Sequence, residues 1–191
     1  MGFRLALMLS SLVMATSACV STSAPTPTMA PLPTATAVPA NTPASQPFPT
    51  PASEDGIIAR VVRVIDGDTV DVVLPDGSTD TVRLLGVDTP EISAPNNPYE
   101  YGDITDTACL DYWGQQAAGV AIVLLQGNTV TLVPDPLAGE RGSFGRLLAY
   151  IYWQGEDFNA ALVELGYARV YTEGDSSREA EYLELQGLAQ A

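Results

Sequence analysis

Residues 57–91 read IIARVVRVIDGDTVDVVLPDGSTDTVRLLGVDTPE, and the breaks in this stretch decide the fold. Ile57 to Ile65 is rich in β-branched residues, Asp66-Gly67-Asp68 interrupts it, and Thr69 to Leu74 resumes an extended pattern. β-Branched side chains suit a pleated surface. Pro75-Asp76-Gly77-Ser78 supplies a strong turn, and Thr79 to Leu85 returns as a third extended run. Three short strands joined by tight turns predict an antiparallel meander.

Downstream, Thr107 to Leu125 carries small and apolar residues at helical spacing despite Gly114 and Gly119. Asn128 to Val133 and Arg146 to Trp153 read as the fourth and fifth main strands. Asp157 is placed to cap a helix from Phe158 to Leu165, which Gly166 ends. Tyr167 to Tyr171 is a short extended piece, and Ser176 to Leu188 has the pattern of a surface helix. Five strands with helices after the third and fifth predict a mainly β domain: a small closed barrel of the oligonucleotide-binding kind with about three helices. Tyr150, Tyr152 and Trp153 read as strand residues packing that barrel, a stacking platform for bases being the other reading.

The N-terminal part has a different composition. Met1 to Ala18 begins with Arg4, runs through apolar Leu5 to Ala15 and ends on small residues, the shape of an export signal. Thr16-Ser17-Ala18-Cys19 resembles the lipobox of bacterial lipoproteins, with threonine where that pattern has leucine. Lipidation of Cys19, and so a lipid anchor at the membrane of the cell envelope, is the expectation. Cleavage after Ala18 to release a soluble secreted protein, or a structural cysteine, are the alternatives. Residues 19–53, beyond the cysteine almost entirely Pro, Thr, Ala and Ser, form an extended tether, leaving 54–191 as the globular domain. The second cysteine, Cys109, reads as an inert thiol at a helix start, a bridge to Cys19 across the tether being disfavoured.

The chain has 191 residues, 23 acidic and 8 basic, with a formal charge of −15, which becomes −16 when Arg4 leaves with the signal. That balance argues against a broad nucleic-acid-binding face, since phosphate backbones favour basic surfaces. It leaves room for local chemistry at one cleft. No histidine is present, which removes most zinc sites and Ser-His or Cys-His catalysis.

Two acidic segments carry the chemistry. Asp66-Gly67-Asp68-Thr69 stands between strands, and Asp88-Thr89-Pro90-Glu91 ends the third. With Arg83 on the adjoining strand, they suggest an oxygen-rich cation site with a phosphate ligand nearby. A carboxylate-held hard metal neutralises a phosphodiester, and an arginine fork gives it two parallel hydrogen bonds. Arg146, at the mouth of the fifth strand, is the second arginine candidate.

Val64 to Val70, Val82 to Glu91 and Phe144 to Tyr152 resemble, in order, the three signature segments of staphylococcal nuclease and its relatives, and Asn159 to Ala168 resembles that family's later helix and final strand. The resemblance implies a Ca²⁺-dependent phosphodiesterase cutting DNA and RNA to 3′-phosphates and 5′-hydroxyls; a monomer is the separate expectation for its assembly. It implies Ca²⁺ ligation by Asp68, Asp88 and the carbonyl of Thr89, with Asp66 a nearby acid outside the direct metal shell. Glu91 is implied as general base or orienter of the attacking water, and Arg83 and Arg146 as the phosphate clamp. Phe144 and Tyr171 match the tyrosines beside the nucleotide pocket. Two departures stand out: the segment from Ile92 to Asp111 is longer and more acidic, placing Glu100, Asp103, Asp106 and Asp111 near the expected path of nucleic acid, and Ser143 replaces a lysine. A non-catalytic binding module on the same fold, or an enzyme for short oligonucleotides, are the rival functions.

Overall fold

A computed structural model describes residues 56–191; the expected export signal and the whole of the expected tether, including Cys19, lie outside the described residues, as do Glu54 and Asp55. The meander is present as β1 (Ile57–Val64), β2 (Thr69–Val73) and β3 (Thr79–Leu84), each antiparallel to the next. The two-residue strand β4 (Val87–Asp88) and helix α1 (Thr107–Leu125) follow, then β5 (Thr129–Val133) and β6 (Leu147–Trp153). β5 pairs antiparallel with both β1 and β6. A parallel pairing of β3 with β6, Val82 opposite Leu147, closes the five strands into the expected barrel. β7 (Glu156–Asp157) extends β6, and α2 (Phe158–Glu164), β8 (Arg169–Val170) and α3 (Glu179–Ala189) complete the domain.

Alternation along the strands fills the barrel with Val61, Val70, Val72, Val82, Leu84, Leu132 and Ile151, all essentially excluded from solvent. Tyr150 and Tyr152 are also buried, so they belong to the packing and offer no stacking platform. α1 covers the barrel with Ala117, Ala121 and Leu125. Its start is fixed by Asp106, whose carboxylate accepts from the amides of Ala108 and Cys109 at 3.0 and 3.3 Å. Cys109 is half-buried in the first turn of α1 and is not a free thiol, which corrects its reading as an inert thiol.

The last helix begins later than the sequence suggested. Ser177 donates its amide to Asp135 at 2.6 Å, and the Ser176 hydroxyl meets the Tyr150 hydroxyl at 2.8 Å, so these residues form an anchor and α3 starts at Glu179. Tyr182, the one buried residue of that helix, docks it by donating to Asp157 at 2.9 Å. Asp157 also caps α2 by accepting from Ala160 at 3.0 Å, as expected. The pairing of β4 with β8, Asp88 opposite Arg169, was not anticipated: two-residue strands carry no periodicity to read.

Candidate active site

The first acidic segment is a tight β1–β2 turn in which Ile65 donates to the Thr69 carbonyl at 2.9 Å. Asp66 accepts from the amide of Asp68 at 3.1 Å, so the first acid orders the second. Desolvation raises the Asp66 carboxyl above its ordinary range, with Thr69 and the charges of Arg83 and Arg146 opposing. Asp68 is 3% exposed, and its Oδ2 accepts from the Thr89 amide at 2.7 Å and the Thr89 hydroxyl at 3.0 Å. The two acidic segments are thus tied directly together.

Arg83, opposite Thr69 on β2 and Leu148 on β6, sends its guanidinium to both Asp68 and Asp88, the second contact at 2.6 Å. The other oxygen of Asp88 is held by Arg169 at 2.9 Å and by the Tyr101 hydroxyl at 3.2 Å. Desolvation, then the Asp88 charge, pushes the Tyr101 hydroxyl far above its usual range, so it stays a donor. Arg169 also pairs with Glu173 at 2.9 Å and lies against the rings of Tyr101 and Tyr171, 5.5 and 5.7 Å from their centroids. Sequence reasoning missed Arg169 and Tyr101. The pairing of β4 with β8 brings Arg169 there, and Tyr101 sits in a segment read only for its charge.

Arg146 stands where β6 begins. Its guanidinium reaches the Thr69 hydroxyl at 3.5 Å and lies 5.5 Å from the centre of the Phe144 ring, which is 83% exposed. Its buried Nε has no hydrogen-bond partner. Desolvation and the like charge of Arg83 both lower its pKa, while Asp66, Glu91 and Tyr171 partly compensate. Glu91 is exposed at the mouth of the cleft. Its carboxyl is nevertheless raised, by desolvation from the cleft walls first and then by the charge of Asp66, with Asp88 and Glu100 adding and Arg83 opposing. The structure therefore brings Asp66, Asp68, Arg83, Asp88, Thr89, Glu91 and Arg146 into one neighbourhood, with Phe144 and Tyr171 at its edge.

The donor set suits a hard cation. Asp68 and Asp88 share the Arg83 guanidinium between them, and the donors they offer are all oxygen. Among the described residues no three acidic, cysteine or histidine side chains converge as a ligand cluster, so any metal here rests on two carboxylates with main-chain, water or substrate oxygens. Of the four acids placed near the substrate path, Asp106 caps α1, Asp111 accepts from Asn96 at 2.8 Å, and Glu100 accepts from Asn97 at 3.2 Å and acts on Glu91 by charge. Only Asp103 has no structural task that its surroundings explain.

Fold and site together define a closed oligonucleotide-binding barrel with a carboxylate–arginine cleft at one rim. A family model described as staphylococcal nuclease homologue matches residues 81–191, which include Arg83, Asp88, Glu91 and Arg146, while Asp66 and Asp68 precede the matched range. The chain belongs to that family. It is 46% identical over 121 residues to an uncharacterized protein of Methanocaldococcus jannaschii, covering 59% of this chain and 58% of that one. It is 36% identical over 110 residues to a thermonuclease of Staphylococcus hyicus, with 58% and 57% covered. It is 37% identical over 108 residues to the endonuclease YncB of Bacillus subtilis, with 56% and 45% covered. The chain thus spans about half the length of the curated relatives it matches.

Proposed function

We propose that this protein is a Ca²⁺-dependent phosphodiester hydrolase acting as a monomer on DNA and RNA, leaving 3′-phosphates and 5′-hydroxyls. The observation that carries the reading is the pair Arg83 and Arg146: two guanidinium groups close enough for the charge of one to lower the pKa of the other, at the rim of a cleft that also holds Asp66 and Glu91. Two planar forks side by side suit the non-bridging oxygens of a phosphodiester. The names of two relatives, a thermonuclease and an endonuclease, support the same class.

In this reading Arg146 donates to the phosphate and holds the charge that grows on its oxygens as the bond to the leaving group lengthens. Arg83 does the same once its carboxylates are neutralised otherwise. Asp68, Asp88 and the Thr89 carbonyl would hold Ca²⁺, which when bound supplies charge neutralisation and polarisation of the phosphoryl group. Glu91, with its raised carboxyl, orients the attacking water or takes its proton; a base of higher pKa is the better acceptor. Phe144 and Tyr171 offer faces for bases beside the phosphate.

Variants of the two arginines test this. Arg83→Ala and Arg146→Ala should each lower kcat on single-stranded DNA by about 10²- to 10³-fold, as loss of one transition-state donor does, while the barrel stays folded by circular dichroism. Near-full rates in both would remove the arginines from the mechanism. A second reading, an enzyme for short oligonucleotides, draws support from Glu100 beside Glu91 and from the net charge of −15. By extension we place the enzyme at the cell envelope, exported and lipid-anchored through Cys19. The mass of the mature N-terminus tests the anchor, and an unmodified Cys19 would contradict it.

A further inference from the structure

From Ile92 to Tyr99 every residue is exposed except one: Asn96 is 6% exposed. Its side-chain amide closes on the main chain of Glu91 from both sides, the oxygen accepting from the Glu91 amide at 2.8 Å and the nitrogen donating to the Glu91 carbonyl at 2.9 Å. The second hydrogen of that nitrogen goes to the Asp111 carboxylate on α1 at 2.8 Å. Three bonds from one buried side chain therefore tie Glu91 to a helix. An independent contact acts at the same place: a Cβ at Gly114 would lie 2.5 Å from the Pro90 carbonyl oxygen and 3.0 Å from that of Glu91. The backbone of α1 is thus pressed directly against the peptide that carries Glu91. Further along the same segment, Tyr101 reaches back to Asp88.

We propose that Asn96 is a positioning residue for Glu91, and that the acidic insertion it belongs to serves to clamp the carboxylates of the cleft. Taken as mere loop order, the arrangement has no reason to bury an amide and spend it on both polar groups of a single peptide residue. Burying a polar group is justified when its bonds fix something that must not move. A carboxylate that orients water must hold its place to a fraction of an ångström, and small misplacement is costly. This inference rests on the hydrolytic reading of Glu91, and its test separates the two.

With the full chain, Asn96→Ala should lower kcat by about 10- to 100-fold, the usual effect of removing an orienting partner, with KM and the half-activating Ca²⁺ concentration within about threefold of wild type. Asn96→Asp, of the same shape, can still accept from the Glu91 amide but has no hydrogen for Glu91 or Asp111, and should fall similarly. Asn97→Ala, whose side chain bonds Glu100, should stay within about twofold, as surface changes do. In a Glu91→Ala background, Asn96→Ala should cost nothing further; an undiminished additional loss there overturns the proposal. If wild type hydrolyses nothing, the nuclease reading fails, and hydrogen exchange at the Glu91 amide still decides the clamp. Slow exchange in wild type that becomes fast in Asn96→Ala supports it, whereas fast exchange in both overturns it.

Discussion

Gly67 reads as a turn residue in the sequence, yet what it needs is the absence of a side chain: a Cβ there would stand 2.7 Å from Ala117 and 2.8 Å from Thr89. That close approach lets Asp68 reach Thr89 and brings the two acidic segments within one hydrogen bond of each other. The expectation for Asp68→Ala follows from its position. Calorimetric Ca²⁺ affinity should weaken clearly; an unchanged affinity would contradict the ligand role. Asp66, Asp68, Arg83, Asp88, Glu91 and Arg146 were legible because each lies in a motif of contiguous residues. Arg169, Asn96 and Tyr101 were not, because each acts on a partner five or more positions away through a contact that only the fold creates. A lone arginine or asparagine in an acidic chain gives no local signal.

Among the elements, the barrel strands and α1 were read nearly to the residue, since β-branched runs, turn chemistry and helical spacing are local properties. What escaped was the docking of α3, which hangs on polar contacts. Asp135 accepts from the Tyr150 hydroxyl and the Ser177 amide at 2.6 Å each, and from Leu137 at 2.9 Å. Desolvation alone would raise its carboxyl, but these donors outweigh it and hold it below the ordinary value. A depressed carboxyl stabilises the fold fully above the unfolded-state pKa of about 4, and that contribution is lost as pH falls through the lower folded value. Asp135→Asn should therefore lower stability at neutral pH by about 1–3 kcal/mol and should lose less of what remains between about pH 5 and 2. Parallel melting-temperature curves for the two proteins over that range would rule out this contribution.

At the scale of the molecule, a chain of formal charge −15 carries a cleft where two arginines sit close enough to act on each other's charge. The overall charge disfavours long polyanions at a distance, while in the proposed function the cleft favours a phosphodiester on contact. The sequence conveyed the first through composition and the second through the acidic segments and arginines, sharpened by family resemblance; the nearness of Arg146 to Arg83 was visible only once β6 had been placed beside β3. Hydrolysis itself is the direct test of what this cleft does. Purified protein should be incubated at low salt with single-stranded DNA and RNA oligonucleotides, with Ca²⁺ in one arm and a chelator in the other, and the product ends identified. Ca²⁺-dependent cleavage leaving 3′-phosphates and 5′-hydroxyls is the predicted result; intact substrate in both arms, across chain lengths from dinucleotides upward, would contradict the account.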